Sequence, residues 1–401
     1  MSGKIIPADG DGERVEARLA AVPTDYFAWL ELARLRNAAR QPSEAFIAAN
    51  NALTLRPPSL EALYERGLAQ LELGCASEAA AAFTTILAIQ PLHTGVLISL
   101  GSAYYHLRRF REAGMIWEHA LRVAPDQVGI LEDLAVCYQR LGDFGKVAET
   151  WERALAHDAS HPQALHHLAA LGRRPPPDRA SAAYIVKLFD EFAPDFDATL
   201  SSLGYDGPRL LADIVANHTP GSLGGWRILD LGCGTGLCAA HFRSRAGWLE
   251  GVDLSPGMLE KAKARNLYDE LHCEEVVRFC DRSRGKFDLI VASDTLNYFG
   301  DLEQVMESMK SSLRSGGRCA FFVERMEDGS MENFRLERHG RFSHRPGYVE
   351  DCLAVAGLRL LARSAAPVRS EAGGPVLAEH FLVGFNLDEN CDCSLPGKPA
   401  A

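Results

Sequence analysis

The segment Arg227-Ile-Leu-Asp-Leu-Gly-Cys-Gly-Thr-Gly236 gathers the residue types of a ligand cradle. Ile228 to Leu231 is a short apolar run that reads as a strand. It leads straight into Gly232, Gly234 and Gly236, and Leu237 to Phe242 then reads as a helix. Glycines at such a turn let the backbone bend sharply and let a ligand lie against it without an intervening Cβ. Several nucleotide binders share a glycine-rich turn, so the neighbouring residues decide between them. Asp230 stands two positions before the first glycine, at the carboxyl end of the strand. A carboxylate there repels a pyrophosphate and suits a cationic amino-acid arm. The spacing is G-x-G-x-G, not the G-x-G-x-x-G of dinucleotide sites. The next apolar run, Trp248 to Asp253, ends in a second acid, placed where a carboxylate can accept both ribose hydroxyls. Ser255 and Pro256 then open a helix through Met258, Leu259 and Ala262, with serine as N-cap and proline in the first turn. The chemistry implied is recognition of a nucleoside that carries a positive charge.

Elements that could hold these groups follow in order. Leu271 to Glu275 and Phe287 to Asp294 read as third and fourth strands. Leu313 to Glu324 reads as a turn, made by Gly316 and Gly317, into a fifth. Gly357 to Leu361 and Phe381 to Phe385 read as the last two. Strands alternating with helices predict a mainly parallel, doubly wound sheet. Ser293 and Asp294 close the fourth strand, beside Tyr298. The stretch Glu337 to Tyr348 offers His339, Arg341, His344 and Arg345, either as contacts to an anionic substrate or as a solvated basic loop.

The first half of the chain repeats. Trp29, Leu63, Leu97 and Leu131 recur with a period of about 34 residues. Ala33, Gly67, Gly101 and Ala135 keep the same phase, as do Ala45, Ala79, Ala113 and Val147, and Ala49, Phe83, Trp117 and Trp151. Pro57, Pro91 and Pro125 end the first three units, where proline cannot continue a helix. This pattern resembles the tetratricopeptide (TPR) repeat, a pair of antiparallel helices per unit. The resemblance implies an α-solenoid whose concave face, with Arg34, Tyr64, Leu68, Ile98, Glu132 and Arg140, takes a protein or peptide partner. A scaffold for self-association or for docking the second half is the other reading. Gln163 to Leu171 reads as a closing helix.

The second half, from about residue 180 to 385, resembles the Rossmann-like class I S-adenosylmethionine-dependent methyltransferases. That resemblance implies S-adenosylmethionine as cofactor, S-adenosylhomocysteine as product, and no metal. It places the amino-acid end of the cofactor on Asp230 and the Gly232, Cys233, Gly234, Gly236 backbone, the ribose on Asp253, and the adenine on Leu254 and Glu275 (or Glu274). Ser293 would face the methyl group. Asp294, Tyr298, His339 and His344 are the candidates for catalysis where the acceptor must lose a proton. Ala183 to Asp197, followed by Leu203-Gly-Tyr205, is similar to the lead-in segment of bacterial methyltransferases that carry TPR repeats, with Tyr184, Phe189 and Phe192 packing on ligand or sheet. The acceptor is open: a small molecule, a carrier-bound metabolite or a protein side chain. A non-catalytic adaptor that only binds S-adenosylmethionine is the alternative.

Composition sets the frame. The 401 residues carry a formal net charge of -11, which disfavours a nucleic-acid track. No apolar run reaches membrane-span length and no secretory leader is visible, so a cytoplasmic protein is expected. The 10 cysteines sit mostly singly in apolar runs and are expected to be reduced. The expected organisation is a lead segment (1–22), four repeat units with a closing helix (23–172), a proline-rich linker (173–179), the methyltransferase domain (180–385) and a disordered tail (386–401). Cys391 and Cys393 in that tail are too few ligands for a metal site.

Overall fold

The computed structural model describes residues 9–219, 224–327, 329, 331–371 and 373–385. The first eight residues and the tail, with Cys391 and Cys393, lie outside the described residues. Two compact units divide the chain, Met1–Ala164 and Leu165–Ala401.

The first unit is helical: α1 (Asp9–Ala21), α2 (Tyr26–Ala38), α3 (Pro42–Leu55), α4 (Leu60–Glu72), α5 (Ala76–Ile89), α6 (Thr94–His106), α7 (Phe110–Val123), α8 (Val128–Arg140) and α9 (Phe144–His157). Each packs chiefly on its neighbours in sequence. The sequence period reappears in the backbone. Asp25, Ser59 and His93 cap α2, α4 and α6 by accepting the N–H of Ala28, Ala62 and Val96. Arg40, Gly74, Arg108 and Gly142, one per pair of helices, all take left-handed φ between 54° and 80°. The phase-matched small residues receive rings. A Cβ added to Gly67 would lie 2.6 Å from Phe83, and one added to Gly101 would collide with the Trp117 indole. The helix faces therefore meet by a glycine-to-aromatic fit that a bulkier residue would block.

Helix α10 (Pro162–Ala170) straddles the division between the units. Its last residues, Ala169 and Ala170, are buried with Leu336 and Phe342 of the second unit.

The second unit begins with α11 (Ala182–Phe192), α12 (Phe196–Ser202) and α13 (Gly207–His218). Then come β1 (Trp226–Leu231), α14 (Ala239–Phe242), β2 (Ala246–Asp253), α15 (Pro256–Ala264), β3 (Glu270–Cys273), α16 (Val276–Arg282) and β4 (Phe287–Ala292). After a short 3-10 turn (Leu296–Tyr298) follow α17 (Glu303–Ser312), β5 (Leu313–Arg325), β6 (Phe334–Leu336), β7 (Phe342–His344), α18 (Pro346–Val355), β8 (Leu358–Glu371) and β9 (Gly374–Phe385). The sheet order is β3-β2-β1-β4-β5-β7-β6, with β9 also beside β5 and β8 beside β9. Pairing is parallel from β3 through β5 and antiparallel at β5–β9 and β8–β9, so the sheet is mixed. Successive strand residues feed opposite cores. Leu229, Ile290 and Phe321 enter one cluster, and Ile228, Leu289 and Phe322 the other. That double burial is why these strands read as continuous apolar runs.

Three expectations change in detail. The helix expected from Leu237 is only Ala239–Phe242. The last two strands are a long hairpin rather than short segments. The stretch Glu337 to Tyr348 is no solvated loop: it forms the β6–β7 hairpin and the first turn of α18, with Phe342, Ser343 and His344 buried. Among the described residues, no helix is long and apolar enough to cross a membrane.

Candidate functional site

Strand order reverses between β1 and β4, and in such sheets ligands bind beyond the carboxyl ends at that point. A cleft opens there. Asp230, Gly232, Cys233, Gly234, Ser293 and Asp294 line it, together with Phe196, Leu200, Tyr205 and Pro208 from α12, α13 and the chain between them.

The three motif glycines all have positive φ: 69° at Gly232, 53° at Gly234 and 87° at Gly236. Their surroundings differ. Thr295 covers Gly232, and the Tyr268 ring would meet a Cβ on Gly236 at 2.9 Å. Gly234 has nothing within 4 Å of an added Cβ. Its amide donates to Asp253 Oδ2 at 2.9 Å, and Ser255 N donates to Oδ1 at 2.9 Å. The β2 carboxylate thus braces both the glycine turn and the start of α15. Two oxygens offer about four lone-pair positions, so Asp253 keeps capacity for hydroxyl donors. Burial pushes its carboxyl upward, against the pull of these amides.

Asp230 is buried, and Tyr268 donates to its Oδ2 at 2.6 Å. Burial drives its carboxyl up to about 7, the Tyr268 bond opposes that shift, and Asp253 adds to it. A cation brought to this carboxylate would find a low-dielectric partner.

The lead-in helices are tied to the same strand tips by two acids. Asp190 of α11 accepts from Ser255 Oγ at 2.5 Å and Gly257 N at 3.0 Å. Asp197 of α12 accepts from Thr235 Oγ1 at 2.6 Å and from Arg265. Phe189 meets Tyr298 edge-on at 5.5 Å, whereas Tyr184 is buried and stacks on His166 at 3.8 Å.

On the other side of the cleft, Asp294 has φ 62°, a conformation that strains a non-glycine residue. Arg369 Nη1 donates to its Oδ2 at 2.8 Å and Asn297 to its Oδ1. Arg369 is itself buried on β8 beside a register irregularity after Pro367. It also donates to Glu324, and to Glu371 at 2.7 Å, while Arg341 reaches Glu324 at 2.5 Å and Glu371 at 2.7 Å. Ser293 Oγ and Tyr205 Oη are 2.7 Å apart.

The remaining candidates are elsewhere or otherwise engaged. Glu275 caps α16 through Arg278 N at 2.9 Å and pairs with Arg179 at 3.2 Å, and Glu274 pairs with Arg282 at 2.6 Å. Leu254 is half-buried at the tip of β2. The Tyr298 ring is half-buried, and burial raises its hydroxyl above the usual phenol range. His344 is fully buried behind this wall, with Nε2 2.9 Å from Phe299 O and 3.2 Å from Gly300 O. Burial lowers its imidazole to about 4. A neutral ring locked to two carbonyls holds the backbone after β4, so the acceptor contact expected of His344 is withdrawn. Tyr268 and Arg369 were not marked by any motif, and Asp190 and Asp197 lay in the Ala183 to Asp197 segment without an assigned role. Each acts on a group far off in sequence.

Residues 229–319 match the family model described as Methyltransferase domain. The chain is similar to Methyltransferase-like protein 27 of Homo sapiens, 46% identical over 88 residues, covering 21% of this chain and 36% of that protein. It is similar to aklanonic acid methyltransferase DauC of Streptomyces sp. (strain C5), 29% identical over 154 residues, covering 36% of this chain and 66% of that one. A solved structure of Burkholderia thailandensis 1,6-didemethyltoxoflavin-N1-methyltransferase, with S-adenosylhomocysteine bound, is 16% identical, covers 53% of this chain and 94% of its own, and gives a TM-score of 0.42. The matched part spans between about a third and two thirds of the length of these two curated relatives. Residues 229–319 of the second unit thus match a methyltransferase domain.

Proposed function

We propose that the whole chain is a cytoplasmic S-adenosylmethionine-dependent methyltransferase whose TPR repeats form a solenoid that binds a protein or peptide partner. The observation that carries this reading is the brace between Gly234 N and Asp253, beside buried Asp230. It joins a backbone left open to a ligand with two acids suited to a cationic nucleoside.

S-adenosylmethionine brings an activated methyl group on a sulfonium, so the protein's work is to orient and desolvate. Asp230 holds the ammonium of the amino-acid arm. Asp253 accepts the ribose hydroxyls while keeping its backbone donors. The Gly234 turn lets the ligand lie against the main chain. Asp294, fixed by Arg369 and Asn297, presents a hydrogen-bond acceptor to an incoming hydroxyl or amine, and Ser293 and Tyr205 supply hydroxyls beside it. Orientation of this kind supplies up to roughly 7–11 kcal/mol in intramolecular models. The periodic helix pairs of the first unit support the repeat assignment.

The test is calorimetry of the full chain with S-adenosylhomocysteine, followed by tritiated methyl transfer from S-adenosylmethionine into a cell extract. The expected result is 1:1 binding that Asp253→Ala weakens by at least about tenfold. Label should then appear in either the small-molecule or the protein fraction, which fixes the acceptor class. Binding without label in any fraction would favour the adaptor alternative, and absence of binding would overturn both.

A further inference from the structure

Tyr268 lies between α15 and β3, outside the glycine motif. Its ring is wedged between two glycines. A Cβ on Gly236 or on Gly251 would each come within 2.9 Å of it. Both positions must stay bare for the ring to pass beneath the glycine turn. The hydroxyl then meets Asp230 Oδ2 at 2.6 Å, a charge-assisted length. The ring is half-buried and packs against the core beneath the sheet, beside Leu249 and Leu289.

We propose that Tyr268 is a positioning residue for cofactor binding: it fixes the rotamer of Asp230 and holds it as a carboxylate for the cofactor's ammonium. This rests on the methyltransferase reading above and extends it to a residue outside the motif. The groups facing Asp230 are Tyr268 itself, Asp253 on β2, and the thiols of Cys233 and Cys238. Burial raises both thiols well above the ordinary range, so they stay neutral near pH 7. Asp253 is braced by two backbone amides that owe nothing to Tyr268. Tyr268 is therefore the donor whose loss acts on Asp230 alone.

The sign follows. An ammonium binds the ionised acid, so affinity falls as pH drops through about 7, the value to which burial brings Asp230. Without the tyrosine hydroxyl the carboxylate loses its donor, and the fall begins at higher pH.

The experiment is calorimetry of S-adenosylhomocysteine binding to the full chain from pH 6 to pH 9, with far-ultraviolet circular dichroism to verify folding. Tyr268→Phe should bind about tenfold more weakly at pH 7 and recover most of that loss by pH 9. Asp230→Asn should bind weakly with a flatter pH dependence, and adding Tyr268→Phe to it should cost little more. These two variants keep the inference testable even where Tyr268→Phe alone folds poorly. A Tyr268→Phe curve parallel to wild type, or a loss equally large in the Asp230→Asn background, would overturn the role of Tyr268 and leave the cofactor reading intact. Wild type that gives no heat at any pH would sink both.

Discussion

Glycine serves opposite ends in the two units. In the helical unit, Gly67 and Gly101 are small because Phe83 and Trp117 fill the space above them. Nothing about their backbone needs glycine, since both lie inside helices α4 and α6. In the second unit, Gly234 needs its positive φ of 53°, and the space above it is left open. One kind of glycine is consumed by the fold and the other is reserved for a ligand. Charge divides the units likewise. Among the described residues the helical unit buries one acid, Glu65, in a core of mostly apolar side chains, whereas the second unit buries Asp230, Glu250, Glu324, Arg369 and Glu379. The first unit closes mainly by volume, and the second tolerates more buried charge.

The largest effect on stability should come from breaking the charge side of this contrast. Arg369→Met removes a guanidinium shared by Asp294, Glu324 and Glu371. Glu324 keeps Arg341, but its carboxyl, already raised by burial, loses one of its two cations. Breaking a buried pair from one side costs about 3–5 kcal/mol. Chemical denaturation should show that loss, with Arg369→Lys recovering part of it. A change under about 1 kcal/mol would mean the network is solvated and that charge does not set the second unit apart.

The volume side is tested by Gly101→Val. The added methyls collide with the Trp117 indole, whose Nε1 donates to Ile98 O at 3.2 Å. Overpacking a filled site costs about 1–3 kcal/mol. S-adenosylhomocysteine affinity should stay within about twofold of wild type, since the cleft belongs to the other unit. An unchanged denaturation midpoint would show that the helices separate without penalty.

These two sites were not equally legible beforehand. Gly101 and Trp117 were marked by phase alone, because a repeat copies its contacts at a fixed spacing. The Asp230 to Gly236 turn and Asp253 were legible for a different reason: strand, bend and acid are contiguous, so local chemistry speaks for the site. Arg369 was invisible. It reaches Asp294 across the sheet from β8, and no spacing links them. His344 was misleading for the same cause, since a histidine beside arginines reads as exposed until β7 is seen to bury it. Periodicity likewise marked α10 as a helix without saying which unit its last turn joins.

Gly234→Ala should have the smallest effect on stability and a large one on binding, and that pairing sharpens the contrast most. The methyl meets no atom within 4 Å, so no packing is lost. What remains is the strain of an L-residue at φ 53°, about 1–2 kcal/mol. The bond from residue 234 N to Asp253 can persist, because alanine keeps the amide. A ligand lying against this backbone would meet the new methyl directly, and S-adenosylhomocysteine affinity should fall by at least about tenfold. The control is Gly67→Ala, where the methyl meets the Phe83 ring and leaves the cleft untouched. It should lose more stability than Gly234→Ala and almost no affinity. If Gly234→Ala binds S-adenosylhomocysteine as tightly as wild type, the open space above that turn is not the ligand's, and the two kinds of glycine cease to be distinct.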